Sequence, residues 1–138
     1  MEIVGILHPA LRVDPSEEAI AAARHFYAGV LGLTADPRRP TVPGFPGFFF
    51  QVGPQQLHIM GARGVSPLAQ APDRDPAQPH VALAVADLQA AERELADQGV
   101  AYWTVSLIGA EQVFGCQGYP VRVPRIAPPG KVALCTLT

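Results

Sequence analysis

The chain has 138 residues, about half of them apolar, a formal net charge of −2 and two cysteines, which is enough for one folded domain or two small fused modules. There is no cationic footprint for a nucleic acid, no apolar run long enough to span a bilayer, and no signal-peptide pattern at the start. Cys116 and Cys135 make no disulfide framework, so reduced thiols and a cytoplasmic location are expected.

Ile3–Val13 reads as a strand. His8, Ala10 and Arg12 share one face and Leu7, Leu11 and Val13 the other, because strand side chains alternate. Asp14-Pro15-Ser16-Glu17 opens a helix, with Asp14 as the cap, Pro15 at the first position and Glu17 closing a capping box. Apolar residues recur at Ile20, Ala23, Phe26, Tyr27, Val30 and Leu31, and Gly32 is the stop. Asp36–Gly47 is a proline- and glycine-rich loop. Phe48–Val52 and Gln56–Met60 form a hairpin around Gly53-Pro54, with Gln56, His58 and Met60 on one face.

After a second proline-rich stretch the order restarts. Pro79–Val85 is a strand with His80, Ala82 and Ala84 on one face. Asp87 caps a helix lined by Leu88, Ala91 and Leu95, and Gly99 ends it. Val100–Val105, Glu111–Phe114 and Lys131–Thr138 are further strands. Superposing His8 on His80 also matches Ala10 with Ala82, Leu11 with Leu83 and Val13 with Val85. A strand–helix–strands unit therefore occurs twice: residues 1–62 and 79–138, joined by a linker loop over 63–78, the second with an atypical C-terminal strand. The histidine rides each time on the alanine-bearing face, as on a cavity wall.

Three histidines, His8, His58 and His80, stand on strands; His25, on the first helix, is a surface or half-buried residue. If the two units share a cavity, three imidazoles converge there, a donor set that suits Zn, Ni, Fe or Mn and leaves positions open for a ligand. A lone strand histidine is otherwise a satisfied structural residue. The equivalent places of His8 and His80 set those two apart.

Taken together, LHPALRV, HFYAGVLGL, FFFQVGPQQLHI, PHVALAVADLQAAERELADQGVAY and EQVF resemble the vicinal oxygen chelate superfamily. That group includes glyoxalase I, bleomycin-binding resistance proteins, fosfomycin-resistance thiol transferases and extradiol dioxygenases. The resemblance implies an α+β fold of two βαβββ modules forming a cupped, half-open barrel, and a homodimer. It implies a divalent metal held by His8, His80 and, where glyoxalase I has a glutamate, His58. It implies a small oxygen-rich substrate that is isomerised, thiolated or oxygenated, or else a metal-free protein that sequesters a drug or metabolite, or an inactive member that has lost the terminal glutamate ligand. Phe49 and Gln51 are expected to face the cavity with Gln56 and Met60. Trp103 lines it or packs beneath the sheet, and Arg12 meets an anionic group or an acidic partner.

The chain departs from the family's closing Asp-Pro-x-Gly-x-x-x-Glu. Anchored on Gly130, Leu134 takes the place of the ligand glutamate, and no Asp or Glu follows Glu111. Losing that carboxylate weakens charge neutralisation at the ion and removes a general base. Glu111, on the preceding strand, is the nearby candidate to substitute for it as a catalytic group, or else an ordinary solvent-facing residue. Read one base on, codons allowed for Pro120–Pro128 can encode Pro-Tyr-Gly-Phe-Leu-Glu-Leu-His, the family's missing tail.

Overall fold

The computed structural model describes residues 1–107, 110–116, 121–122, 125–126 and 130–135, with side chains up to Thr104. The fold is α+β and divides into two compact units, Pro9–Gln78 and Met1–His8 with Pro79–Thr138. The first strand, β1 (Ile3–Val13), gives its opening residues to one unit and its closing residues to the other.

In the unit Pro9–Gln78, α1 (Glu17–Arg24) follows β1, then a π-helical segment (His25–Val30), β2 (Gly47–Val52) and β3 (Gln55–Gly61). The cap of α1 is Ser16, whose Oγ accepts from the Ala19 N–H, and not Asp14. Asp14 instead accepts from the Ser16 N–H, forming the turn that delivers Ser16 in the extended conformation a cap needs. Glu17 and Glu18 then sit in the first turn, where the helix dipole favours negative charge. Gly32, at φ 70°, follows the π-helical segment and ends it.

β2 and β3 pair antiparallel across the turn at Gly53 (φ 59°), with Phe49 opposite His58 and Gln51 opposite Gln56. The closing residues of β1 run parallel to β3, with Ala10 opposite His58. Alternation gives this sheet two unlike faces. Phe50 and Ile59, fully buried, pack with Phe48 and Leu57 against Ala23 and Tyr27 of the helical layer. Phe49, Gln51, Gln56 and His58 occupy the other face. Of the three strands the resemblance implies after the helix, only β2 and β3 form here. The stretch before β2 has only the isolated bridges Ala35–Phe50 and Val42–Phe45, because Pro37, Pro40 and Pro43 cannot donate to a ladder. Gly47 permits the close start of the hairpin: at φ 151°, a Cβ there would lie 2.1 Å from the Ile59 carbonyl oxygen.

The stretch expected as a linker is held to this unit. Asp75, buried, accepts from the Ser66 N–H (2.9 Å), the Ser66 hydroxyl (2.5 Å) and the Ala77 N–H (2.9 Å). Arg12 Nη2 stands 3.6 Å from the same carboxylate, and its guanidinium also donates to the Ala62 and Gly64 carbonyls. Ala10, Phe45, Met60, Ala62 and Ala77 form the apolar cluster beneath.

In the other unit the sheet runs β1, β4 (His80–Val85), β9 (Gly130–Cys135) and β7 (Val121–Arg122), with β8 (Arg125–Ile126) also on β9. β4 and β9 are antiparallel, and Ala82 faces Leu134 in register. Asp87 caps α2 (Leu88–Asp97), its carboxylate accepting from the Ala90 N–H. Gly99, at φ 69°, turns the chain out of it. Leu88, Ala91 and Leu95 bury against Val85, with Leu83, Val100 and Tyr102 at the margin. β5 (Ala101–Leu107) and β6 (Ala110–Cys116) make a separate hairpin. Among the described residues no helix is long and apolar enough to cross a membrane.

Candidate functional site

Two of the histidines meet. His8, on β1, and His80, on β4, are both buried, and their Nε2 atoms face each other at 3.4 Å with the rings tilted by 67°. Each lies on the alanine-bearing face of its strand. Beside them Ala82 is fully buried and packs on Leu7. The repeated strand thus sets two imidazoles side by side because each copy carries its histidine at the same place.

Two facing Nε2 atoms can share one proton as N–H···N, or both can turn their lone pairs to one cation. A tetrahedral ion with metal–nitrogen bonds of about 2.0–2.1 Å separates two ligand nitrogens by about 3.4 Å. The observed spacing is compatible with either arrangement, and the residues present fit two positions of a tetrahedral ion. The register supplies no carboxylate next to them: the residue opposite Ala82 is Leu134, which has no donor atom. Among the described residues, no group of three or more His, Cys, Asp or Glu side chains is gathered as a metal site.

His58 belongs to the other unit. Its ring stacks on Phe49, centroids 3.5 Å apart and planes within 11°, and its Nε2 lies 3.0 Å from Gln56 Oε1. Gln56 Nε2 donates to Asp36 Oδ2 at 2.7 Å and Gln51 Nε2 to the same oxygen at 2.9 Å. Arg38 brackets that carboxylate from its exposed side, Nε and Nη2 donating at 2.9 and 2.7 Å. Hydrogen bonds from the Arg38 side chain and backbone N–H hold the Asp36 carboxyl far below the usual carboxylate range. Arg39, partly buried with the rings of Phe45 and Phe49 beside its guanidinium, donates to the Phe45 carbonyl; burial lowers its pKa.

Phe49, Gln51 and Gln56 share the His58 face. Met60 is buried in the cluster with Phe45 and Ala77. The Arg12 guanidinium is spent on Asp75 and two carbonyls of the 62–78 segment. Trp103, on β5, is buried opposite Phe114. Glu111 pairs with Ser106 in β6; its side chain, and most of the Pro120–Pro128 stretch with its alternative codon reading, lie outside the described residues. Asp36 escaped the sequence reading. Asp36-Pro37-Arg38 reads locally as a turn, and its amide partners lie 15 and 20 residues further along the chain.

The depressed pKa of Asp36 sets a pH signature. The carboxylate stays ionised in the folded chain at a pH where the unfolded chain has bound a proton. Its stabilisation is thus complete above about pH 4 and is lost as pH falls below that, toward the lowered value. Urea unfolding of the parent and an Asp36→Asn variant is expected to show a constant stability gap from pH 7 to about pH 4. Below that the gap narrows. A gap that narrows already between pH 7 and 5 contradicts the assignment.

The sequence compares with known proteins in three ways. A family model described as the Glyoxalase/Bleomycin resistance protein/Dioxygenase superfamily matches residues 5–105. No curated protein matches the chain. The crystal structure of a hypothetical protein from Bacillus halodurans C-125 shares the fold, with a TM-score of 0.58 at 21% identity over 80% of this chain and 83% of that one. With the family model covering most of its length, the chain belongs to the Glyoxalase/Bleomycin resistance protein/Dioxygenase superfamily.

Proposed function

We propose that this chain binds a divalent ion, Zn, Ni, Fe or Mn, through Nε2 of His8 and Nε2 of His80, and that the ion anchors a small ligand rich in oxygen donors. The observation that carries the reading is the 3.4 Å separation of two buried imidazole nitrogens in equivalent places of a repeated strand. When bound, the ion supplies Lewis acidity toward a developing oxyanion or enolate. With two protein nitrogens, at least two coordination positions remain for water or ligand, which suits a chelating substrate. His8 and His80 orient the ion.

A second reading, a metal-free small-molecule binder, is favoured by one observation: Leu134 stands opposite Ala82, where the resembled family has a ligand glutamate. A bidentate oxygen chelator separates the two. Calorimetric titration with acetohydroxamic acid is expected to show binding in the presence of zinc and none after chelation of the metal. Equal binding with and without zinc, or none with zinc present, overturns the metal reading.

A further inference from the structure

We propose that Asp36 is a positioning residue for His58: acting through the side-chain amide of Gln56, it holds the imidazole as the Nε2–H tautomer. The inference concerns the orientation of His58 alone and stands whether or not His8 and His80 bind an ion.

Hydrogen-bond polarity fixes the tautomer. The Asp36 carboxylate, bracketed by three hydrogen bonds from the Arg38 side chain, can only accept. Its Oδ2 receives two amide donors, Gln51 Nε2 and Gln56 Nε2. Turning the Gln56 amide over would set its oxygen 2.7 Å from a carboxylate oxygen, two acceptors face to face. The amide is therefore locked with nitrogen toward Asp36 and oxygen toward His58. Gln56 Oε1, 3.0 Å from His58 Nε2, accepts, so Nε2 must carry a proton. In the neutral ring the lone pair then sits on Nδ1. The stack on Phe49 fixes the ring plane in which this polarity is expressed.

The consequence separates His58 from the other two strand histidines. A nitrogen that donates to an amide oxygen cannot ligate a metal through the same atom, so Nε2 of His58 is not a ligand atom. Metal-binding histidines are commonly oriented by a carboxylate bonded directly to the second ring nitrogen. Here an amide is interposed, and the aspartate sets the proton's place without its charge touching the ring. The same carboxylate orients Gln51, so one buried acid fixes the polarity of this whole polar face.

The test is a long-range proton–nitrogen correlation spectrum of the chain labelled with 15N-histidine, at mildly alkaline pH, with the His58 signals assigned by their loss in His58→Gln. The parent is expected to show His58 Nδ1 as a pyridine-type and Nε2 as a pyrrole-type resonance, well separated. In Asp36→Asn and in Gln56→Met the two resonances are expected to move toward each other as the tautomers mix, with the His25 pattern unmoved. Gln56→Met leaves the Asp36 bonds to Arg38 and Gln51 in place, so it carries the test if Asp36→Asn does not fold. An Nδ1–H tautomer in the parent overturns the proposal. So does an unchanged Nε2–H pattern in folded Gln56→Met, which is what a purely packing role predicts.

Discussion

Zinc is expected to raise the melting temperature of the parent chain by on the order of 10 °C when its free concentration is about a hundred times the dissociation constant. A ligand at that ratio that binds only the native state adds about 2.7 kcal/mol, and each kcal/mol moves the midpoint of a chain this size by roughly 2–8 °C. His8→Ala combined with His80→Ala is expected to reduce the shift to nearly nothing. The readout is the difference made by zinc in each protein, measured by differential scanning calorimetry. Whatever the two substitutions do to the unliganded fold cancels. A zinc shift of the same size in the double variant would show that the facing imidazoles are not the binding site.

The second large effect lies away from the histidines. Asp75→Ala is expected to destabilise the chain by about 3–5 kcal/mol, as for a broken buried charge network. The variant leaves the Ser66 and Ala77 N–H groups without their acceptor and the Arg12 guanidinium without its carboxylate. Asp75→Asn keeps an acceptor oxygen and is expected to lose about half as much. Urea unfolding followed by circular dichroism measures both. A loss under about 1 kcal/mol in Asp75→Ala would mean that the 62–78 segment is not anchored by this carboxylate.

These two predictions draw on different kinds of information, and only one kind was legible in the sequence. The facing pair His8 and His80 follows from a repeat: the same strand is written twice, with its histidine at the same place. Strand alternation likewise put Gln56 and His58 on one face, and the cap at Asp87 and the stops at Gly32 and Gly99 follow from local backbone chemistry. What stayed hidden was set by distant partners. Arg12 was open to a ligand or an acid, and only the folded chain brings Asp75, 63 positions later, against it. Asp36 looked like a turn residue because its amide partners are on the hairpin. The helix cap moved from Asp14 to Ser16 because two residues, on either side of Pro15, both suit the role, and the hydrogen bond between them decides which is used. The missing third strand after α1 is a negative effect of three prolines, and periodicity does not register a strand that fails to form.

The departure at Leu134 gives the functional reading its edge. Superfamily membership fixes the fold, but not the reaction. Two imidazoles without the neighbouring carboxylate make a more weakly neutralised ion site than three or four protein ligands would. The ion then depends more on its oxygen ligand, which is why the chelator titration and the metal content speak to the same question from two sides.

The most direct measurement is the metal content of the chain purified without chelator and then equilibrated with zinc, determined by elemental mass spectrometry beside the His8→Ala/His80→Ala double variant. Close to one equivalent of zinc in the parent and none in the variant is the predicted result. No metal in either protein, or equal metal in both, would contradict the claim that these two histidines hold an ion.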